Sequence, residues 1–371
     1  MRPLPCEKRQ PLPGKRRSKK RQSWKRHPER QKNRGFRQSL PKPKETIMDD
    51  QGIVVHASKI EGNGKRSLLS IADVEKQVPD QGLVWIHLNS ANEMASEWLQ
   101  KKFGISRLTC ESLFDKGTRP RTALTNDGLL VILRGVNTNP GHDPEDMVAL
   151  RMLFCETRIF TLSNRKSMAV HDMETLFETG NGPRSKGDFL VMVAERIADR
   201  IADEIQELDE TVDDLEDLLL SADSADLQPK ISDIRRIAIH LRRYIYPQRD
   251  VLIRLPGERV SWISDKDRIH LHEAAEQTAR FVEDIDSARE RSIIAQEEVN
   301  SRMSRQMNKA VYLLSIVTVI FLPLGLLTGL LGINVGGIPG AESRWAFPLV
   351  SLGIIAIAGG LILWFRRIKW L

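Results

Sequence analysis

The spacing of apolar and polar positions changes character several times along the chain. Between 52 and 182, unbroken apolar runs at Leu83–Leu88, Leu129–Val136 and Val148–Cys155, the last followed by Arg158–Leu162, predict buried strands. Ile53–His56 forms a further apparent strand, and helical spacing covers Ala91–Phe103 and Ser167–Glu178, so this stretch is expected to be mixed α/β. From about Lys186 the period becomes helical. Phe189–Leu220 alternates apolar and acidic positions and ends in Asp209, Glu210, Asp213, Asp214, Glu216 and Asp217. A second helix from about Leu227 to Leu255 carries Arg235, Arg236, Arg242, Arg243 and Arg249, so opposite charges on neighbouring helices predict an antiparallel hairpin, with a bend at Pro247. A third helical pattern starts near Asp265. No Gly or Pro occurs between Ser264 and Pro323, which allows one helix of about 68 residues and about 100 Å. Such a helix needs partners along its length.

Its far end enters the first of two uncharged stretches. Val311–Leu331 is 21 residues long and Ala346–Phe365 is 20, each about 30 Å as a helix and long enough to cross a bilayer. Arg302, Arg305 and Lys309 precede the first, and Arg366, Arg367 and Lys369 follow the second. Basic flanks stay inside, so both termini are expected in the cytoplasm and the connecting loop outside. Trp345, Trp364 and Trp370 fall at interfacial positions.

Charge changes the picture at the N-terminus. The first 45 residues hold 17 Lys and Arg against three acids, a net +14, which leaves the rest at −7 within the chain's +7. The basic character therefore belongs to a segment too poor in apolar residues to fold, and nucleic acid is not expected as a partner of the folded part. Met48 is the expected start, which would make residues 1–47 an extension outside the working protein; the alternative is an arm that binds anionic lipid or nucleic acid. Three scattered cysteines fit a reducing compartment rather than a disulfide scaffold or thiolate metal site. No phosphate loop, G-x-S-x-G or H-E-x-x-H signature is present, so no enzyme and no prosthetic group is expected. The expected organisation is a basic extension (1–47), an α/β domain (48–183), a helical hairpin (184–256), a stalk helix (260–310), a first membrane helix (311–332), an outer loop (333–345), a second membrane helix (346–365) and a basic tail (366–371).

Two spans in one chain cannot enclose a hydrated path, whereas a ring of copies can. Helix axes about 9.5 Å apart leave a path of about 3 Å radius for five helices and under about 2 Å for four. Stepping along the first span from Asn308 gives Val311, Leu314 or Ser315, Thr318, Leu322, Gly325, Gly329 and Gly332, a stripe of small and hydroxylated residues with apolar constrictions. The competing reading packs Gly325-x-x-x-Gly329 against the second span. Neither span contains His, Cys, Asp or Glu. A passing cation would therefore keep its water, and a passive gated path is simpler than proton coupling. On the stalk, His270, Glu273 and Glu276 share a helical face and could hold a regulatory metal; the bland alternative is a solvated polar face.

A span with a central Pro, ended by Gly332-Ile333-Asn334, then a short outer loop bearing Glu342, a second span and a basic C-terminus, resembles the CorA superfamily of divalent-cation transporters. Arg119-Pro120-Arg121 resembles the family's N-terminal domain as well. Ile333 and the run Val335-Gly336-Gly337-Ile338-Pro339-Gly340 resemble the ZntB-type zinc branch more than the magnesium branch. The resemblance implies a homopentameric funnel in a bacterial inner membrane, with five copies of the first span forming the pore. It implies an outer selectivity ring of Asn334, an inner ring of Asn308 and pore-facing Leu314, Thr318, Leu322 and Gly325, and it matches Glu273 to a metal-sensing position. A divalent cation, zinc foremost, would be the substrate and a possible regulator. Alternatives are a magnesium or broad divalent channel of the same fold, and a membrane-anchored scaffold without transport, for which Asn334 is only a helix cap.

Overall fold

The computed structural model describes residues 52–76, 82–115, 117, 119–139, 141–221, 224–332 and 343–367. Seven strands, β1 (Val54–Ile60), β2 (Arg66–Leu68), β3 (Leu83–Asn89), β4 (Arg121–Thr125), β5 (Gly128–Gly135), β6 (Val148–Phe154) and β7 (Arg158–Ser163), form one sheet in the order β2-β1-β3-β7-β6-β5-β4. Among the described residues only β3 and β7 pair in parallel, with Trp85 opposite Ile159 and Leu88 opposite Leu162. The unbroken apolar runs follow from burial of both faces. Trp85, Leu129, Val131, Leu133, Met152 and Ile159 point into one core, while Val84, Ile86, Leu130, Ile132, Phe160 and Leu162 point into the other. The second core is closed by short helices α1 (Ile71–Lys76), α2 (Met94–Phe103) and α3 (Arg107–Phe114). α1, α3, β2 and β4 carry no apolar run long enough to stand out in the sequence.

The first core continues through α4 (Met168–Glu178) into a bundle of α5 (Lys186–Ser221), α6 (Ser224–Arg254) and the lower part of α7 (Asp265–Leu331). α7 is a single helix of 67 residues. Its start is fixed by a capping box: Ser264 Oγ accepts from the Asp267 amide, and Asp267 Oδ2 accepts from the Ser264 amide at 2.8 Å. Gly187, at the start of α5, lies so close to the Asp267 carboxylate and the Trp262 carbonyl that no Cβ fits there. Along α7 the buried residues Leu271, Ala274, Thr278, Phe281, Ile285, Ala288, Ser292, Ala295 and Val299 recur at alternating steps of three and four, as do Leu227, Ile231, Ile234, Ala238, Leu241, Ile245, Gln248, Leu252 and Leu255 from α6 into the 3₁₀ turn after it. This is the seam of a left-handed helical bundle, and its many small residues let the axes approach.

The seam stops at Val299. The next position in register is Arg302, which donates to the Leu219 carbonyl at the tip of the hairpin, and Gln228 contacts Met303. The partner helices thus accompany α7 up to the membrane stretch and end there. The charges pair differently from the expected α5–α6 match. Asp209, Asp213 and Glu216 of α5 clasp Arg291 of α7, and Arg242 of α6 pairs with Asp286 of α7, because α7 lies against both. α6 runs without interruption through Pro229 and Pro247.

Candidate functional site

Beyond Val299, α7 passes into the first apolar stretch, and α8 (Ala346–Arg367) supplies the second. Both are long and apolar enough to cross a membrane, and almost none of either apolar window is buried within the chain. A core helix of a soluble protein would be covered; these helices offer their side chains to lipid or to other copies.

α7 and α8 pack on a narrow face. Ile316 is 6% exposed and Phe365 on α8 is 3% exposed, and Ile320, Pro323, Leu324 and Leu327 continue the half-buried row on α7. At 100° per residue, Leu314, Thr318, Leu322, Gly325 and Gly332 lie roughly 140–180° from the centre of that row, and Asn308 roughly 100° from it. They are open: Leu314 is 67% exposed and Leu322 is 71% exposed. A Cβ built on Gly325 or Gly329 meets nothing within 4 Å. The glycines therefore do not seat α8, and among the described residues no packing neighbour keeps them small. Gly332 ends the helix, its amide donating to the Thr328 carbonyl at 2.9 Å. Ile333, Asn334 and Glu342 lie outside the described residues.

The hydroxyls of the open face are anchored on their own helix. Ser315 Oγ donates to the Val311 carbonyl at 2.9 Å, and Thr318 Oγ1 donates to the Leu314 carbonyl at 2.8 Å. With the proton committed to the backbone, Thr318 Oγ1 turns its free lone pairs away from the helix, as an acceptor for water or for a hydrated cation.

The stalk residues singled out in the sequence are not gathered at one point. His270 Nδ1 lies 3.2 Å from Glu195 of α5 and 3.6 Å from Glu273, whereas Glu276 pairs with His272 at 3.3 Å. Among the described residues no group of three or more His, Cys, Asp or Glu is disposed to hold a metal within one chain. A buried cluster joins distant segments: His56 contacts Glu174 at 3.1 Å and stacks on His87, whose Nδ1 lies 2.8 Å from Thr161 Oγ1. Single histidines inside strands leave no local signature of that meeting.

The model of the family described as CorA-like Mg2+ transporter protein matches residues 80–367. The chain belongs to the CorA-like family. This is a family of transporters and not of enzymes. Among its relatives, the chain is 34% identical over 317 residues to the zinc transport protein ZntB of Pectobacterium carotovorum subsp. carotovorum (strain PC1), covering 85% of this chain and 96% of that one. It is 36% identical over 326 residues to the divalent cation transporter CmaX of Pseudomonas aeruginosa, covering 87% and 98%. The solved structure of full-length CmaX superposes with a TM-score of 0.74 at 34% identity, over 87% of this chain and 99% of that chain. The α/β domain, the long helix and the two apolar C-terminal helices are thus the architecture of a CorA-like chain.

Proposed function

We propose that this chain carries divalent metal cations, zinc foremost, across a bacterial inner membrane, through a pore that α7 lines in a ring of five copies. The observation that carries the reading is the open face of α7. Its small and hydroxylated side chains lie opposite the α8 contact, the hydroxyls bonded to their own helix and the glycines without a neighbour among the described residues. A second copy of the same helix is the natural neighbour, and five such helices leave a path of about 3 Å radius, wide enough for a cation that keeps part of its water. In this reading Asn308 forms the cytoplasmic ring and Leu314 and Leu322 the apolar constrictions. Thr318 supplies the mid-membrane acceptor, Gly325 and Gly332 the wide places, and Ile333 and Asn334 the outer filter, with Glu342 drawing cations to the mouth. His270, Glu273 and Glu276 act as a regulatory site only if a neighbouring copy completes the set. Both termini lie in the cytoplasm, by the basic flanks.

Zinc is supported by the relatives named as zinc transport proteins at 34% identity. Broader divalent selectivity is supported by the relative named as a divalent cation transporter at 36% identity. No residue of the two spans would bind zinc directly, since none is His, Cys, Asp or Glu, so the ion passes hydrated and without an intramembrane proton relay.

The test is flux into liposomes by the purified chain with zinc, magnesium, cobalt and nickel in turn, with and without a pH gradient. Zinc flux is expected to lead, to be indifferent to the gradient and to fall at least about tenfold in Asn334→Ala, because a ring of amide oxygens is lost at once. Flux of no divalent ion would leave the membrane-anchored scaffold as the surviving reading, and unchanged flux in Asn334→Ala would remove the filter.

A further inference from the structure

Far along the chain from the membrane helices, the β5–β6 loop, the β7–α4 loop and the middle of α6 converge on a cavity of about 440 Å³. Arg134, Arg151, Arg165 and Arg243 line it against two carboxylates, Glu145 and Asp146. Glu145 is already engaged by Arg236 at 2.7 Å. Among the described residues, Arg151, Arg165 and Arg243 form no ion pair.

Arg151 is the decisive member. It lies on β6, is 6% exposed and lines the cavity. One terminal nitrogen donates to the Asp115 carbonyl at 3.0 Å and the other reaches Ser90 Oγ at 3.5 Å, yet its Nε–H has no partner among the described residues. Arg134 stacks on the Tyr244 ring at 4.1 Å and donates to the Met147 carbonyl at 2.8 Å, which holds its planar fork in place. Burial, and after it the charge of Arg134, hold the Arg151 guanidinium below its ordinary range. Four arginines lining one cavity, one of them with a buried donor left over, repel one another and favour an anion between them.

We propose that this cavity is a binding site for a phosphate dianion, free or carried by a small molecule such as a nucleotide. A phosphate group brings close to two negative charges at neutral pH and three acceptor oxygens, whereas a carboxylate brings one charge and two oxygens. Four arginine side chains, the two exposed ones without an ion pair among the described residues, against one uncommitted carboxylate match the former. The cavity has the size of a small-molecule site. One wall is α6, which packs along α7, so an occupied site would rest against the helix that flanks the route to the membrane. This inference does not depend on which cation, if any, the chain transports.

The experiment is isothermal titration of the full chain in detergent, without divalent ions and at matched ionic strength, with sodium phosphate, with ATP and with sodium chloride. Saturable binding of phosphate or ATP, and none of chloride, is expected. ATP binding tighter than phosphate assigns the site to a nucleotide, and the reverse assigns it to free phosphate. The double variant Arg165→Glu/Arg243→Glu changes two exposed side chains and should weaken binding at least about tenfold. Arg151→Lys, which keeps the charge and removes the fork, should weaken it as well. Absence of saturable phosphate and ATP binding overturns the proposal, as does chloride binding equal to phosphate or equal affinity in all variants.

Discussion

Buried histidine is where this chain's stability meets pH. His87 lies inside the sheet between Thr161 and Ser163, with Nδ1 2.8 Å and Nε2 3.3 Å from their hydroxyls. Burial first, and the neighbouring His56 second, push its pKa from 6.5 down to about 3. His56, packed edge-on against Trp85 at 4.2 Å, is lowered in the same way by burial, although Glu174 opposes the shift. The unfolded chain therefore takes up a proton at His87 below pH 6.5, while the folded chain does so only near pH 3. Stability is whole above 6.5 and drains as the pH falls through that window, at on the order of 1 kcal/mol per pH unit for one proton. Thermal unfolding of the purified chain should show a midpoint that falls from pH 7 to pH 5, and His87→Gln should flatten the slope. An unchanged slope in that variant would place the proton uptake elsewhere. Nothing in the local sequence announces this pair. Their alternating positions on β1 and β3 are legible, but their meeting with Glu174 of α4 is made by strand pairing and helix docking across more than a hundred residues of sequence.

Elements were more legible than their docking. The strands at Leu83, Leu129, Val148 and Arg158 and the three long helices stand within a few residues of where the apolar pattern sets them, because a sheet covered on both faces and a bundle seam each impose a long, regular signal. The unbroken α7 could be read from the absence of Gly and Pro before Pro323. The partner choice of the charged faces could not, since sign alone does not say which of two neighbouring helices a carboxylate will face. One polar residue in a seam shows the same limit. Gln248 stands at a core position of α6 and is 2% exposed, and its Oε1 accepts the Arg134 backbone amide at 2.7 Å. By pattern alone it is a defect; in the structure it satisfies the end of β5 and ties the bundle to the sheet. Gln248→Leu keeps the apolar seam and leaves that amide buried without an acceptor, which should cost about 1–3 kcal/mol in chemical unfolding. Gln248→Glu, which retains an acceptor, should lose less. Equal losses would mean that packing volume and not the hydrogen bond is what the position supplies.

At the scale of the whole molecule, the soluble part closes on itself and the membrane part does not. The bundle seam is filled up to Val299, whereas the helix beyond it touches α8 along one row and leaves its small residues uncovered. That asymmetry separates folding from assembly, and Gly325 is the position that tests the separation. A Cβ there meets nothing within 4 Å, and glycine is the poorer helix former by about 1 kcal/mol, so a single chain has no reason to resist Gly325→Leu and some reason to favour it. If five copies turn this face to a common axis, the same substitution sets five isobutyl groups into a path of about 3 Å radius, and flux should fall by at least about tenfold with the unfolding midpoint held or raised. Ile316→Ala is the converse. It cuts into the buried row against α8, where removing a large aliphatic side chain costs about 2–5 kcal/mol when fully packed, so it should lower the midpoint while leaving the axis open. A Gly325→Leu protein that conducts like the parent would show that this face looks onto lipid, and the small residues would then need an explanation other than a pore.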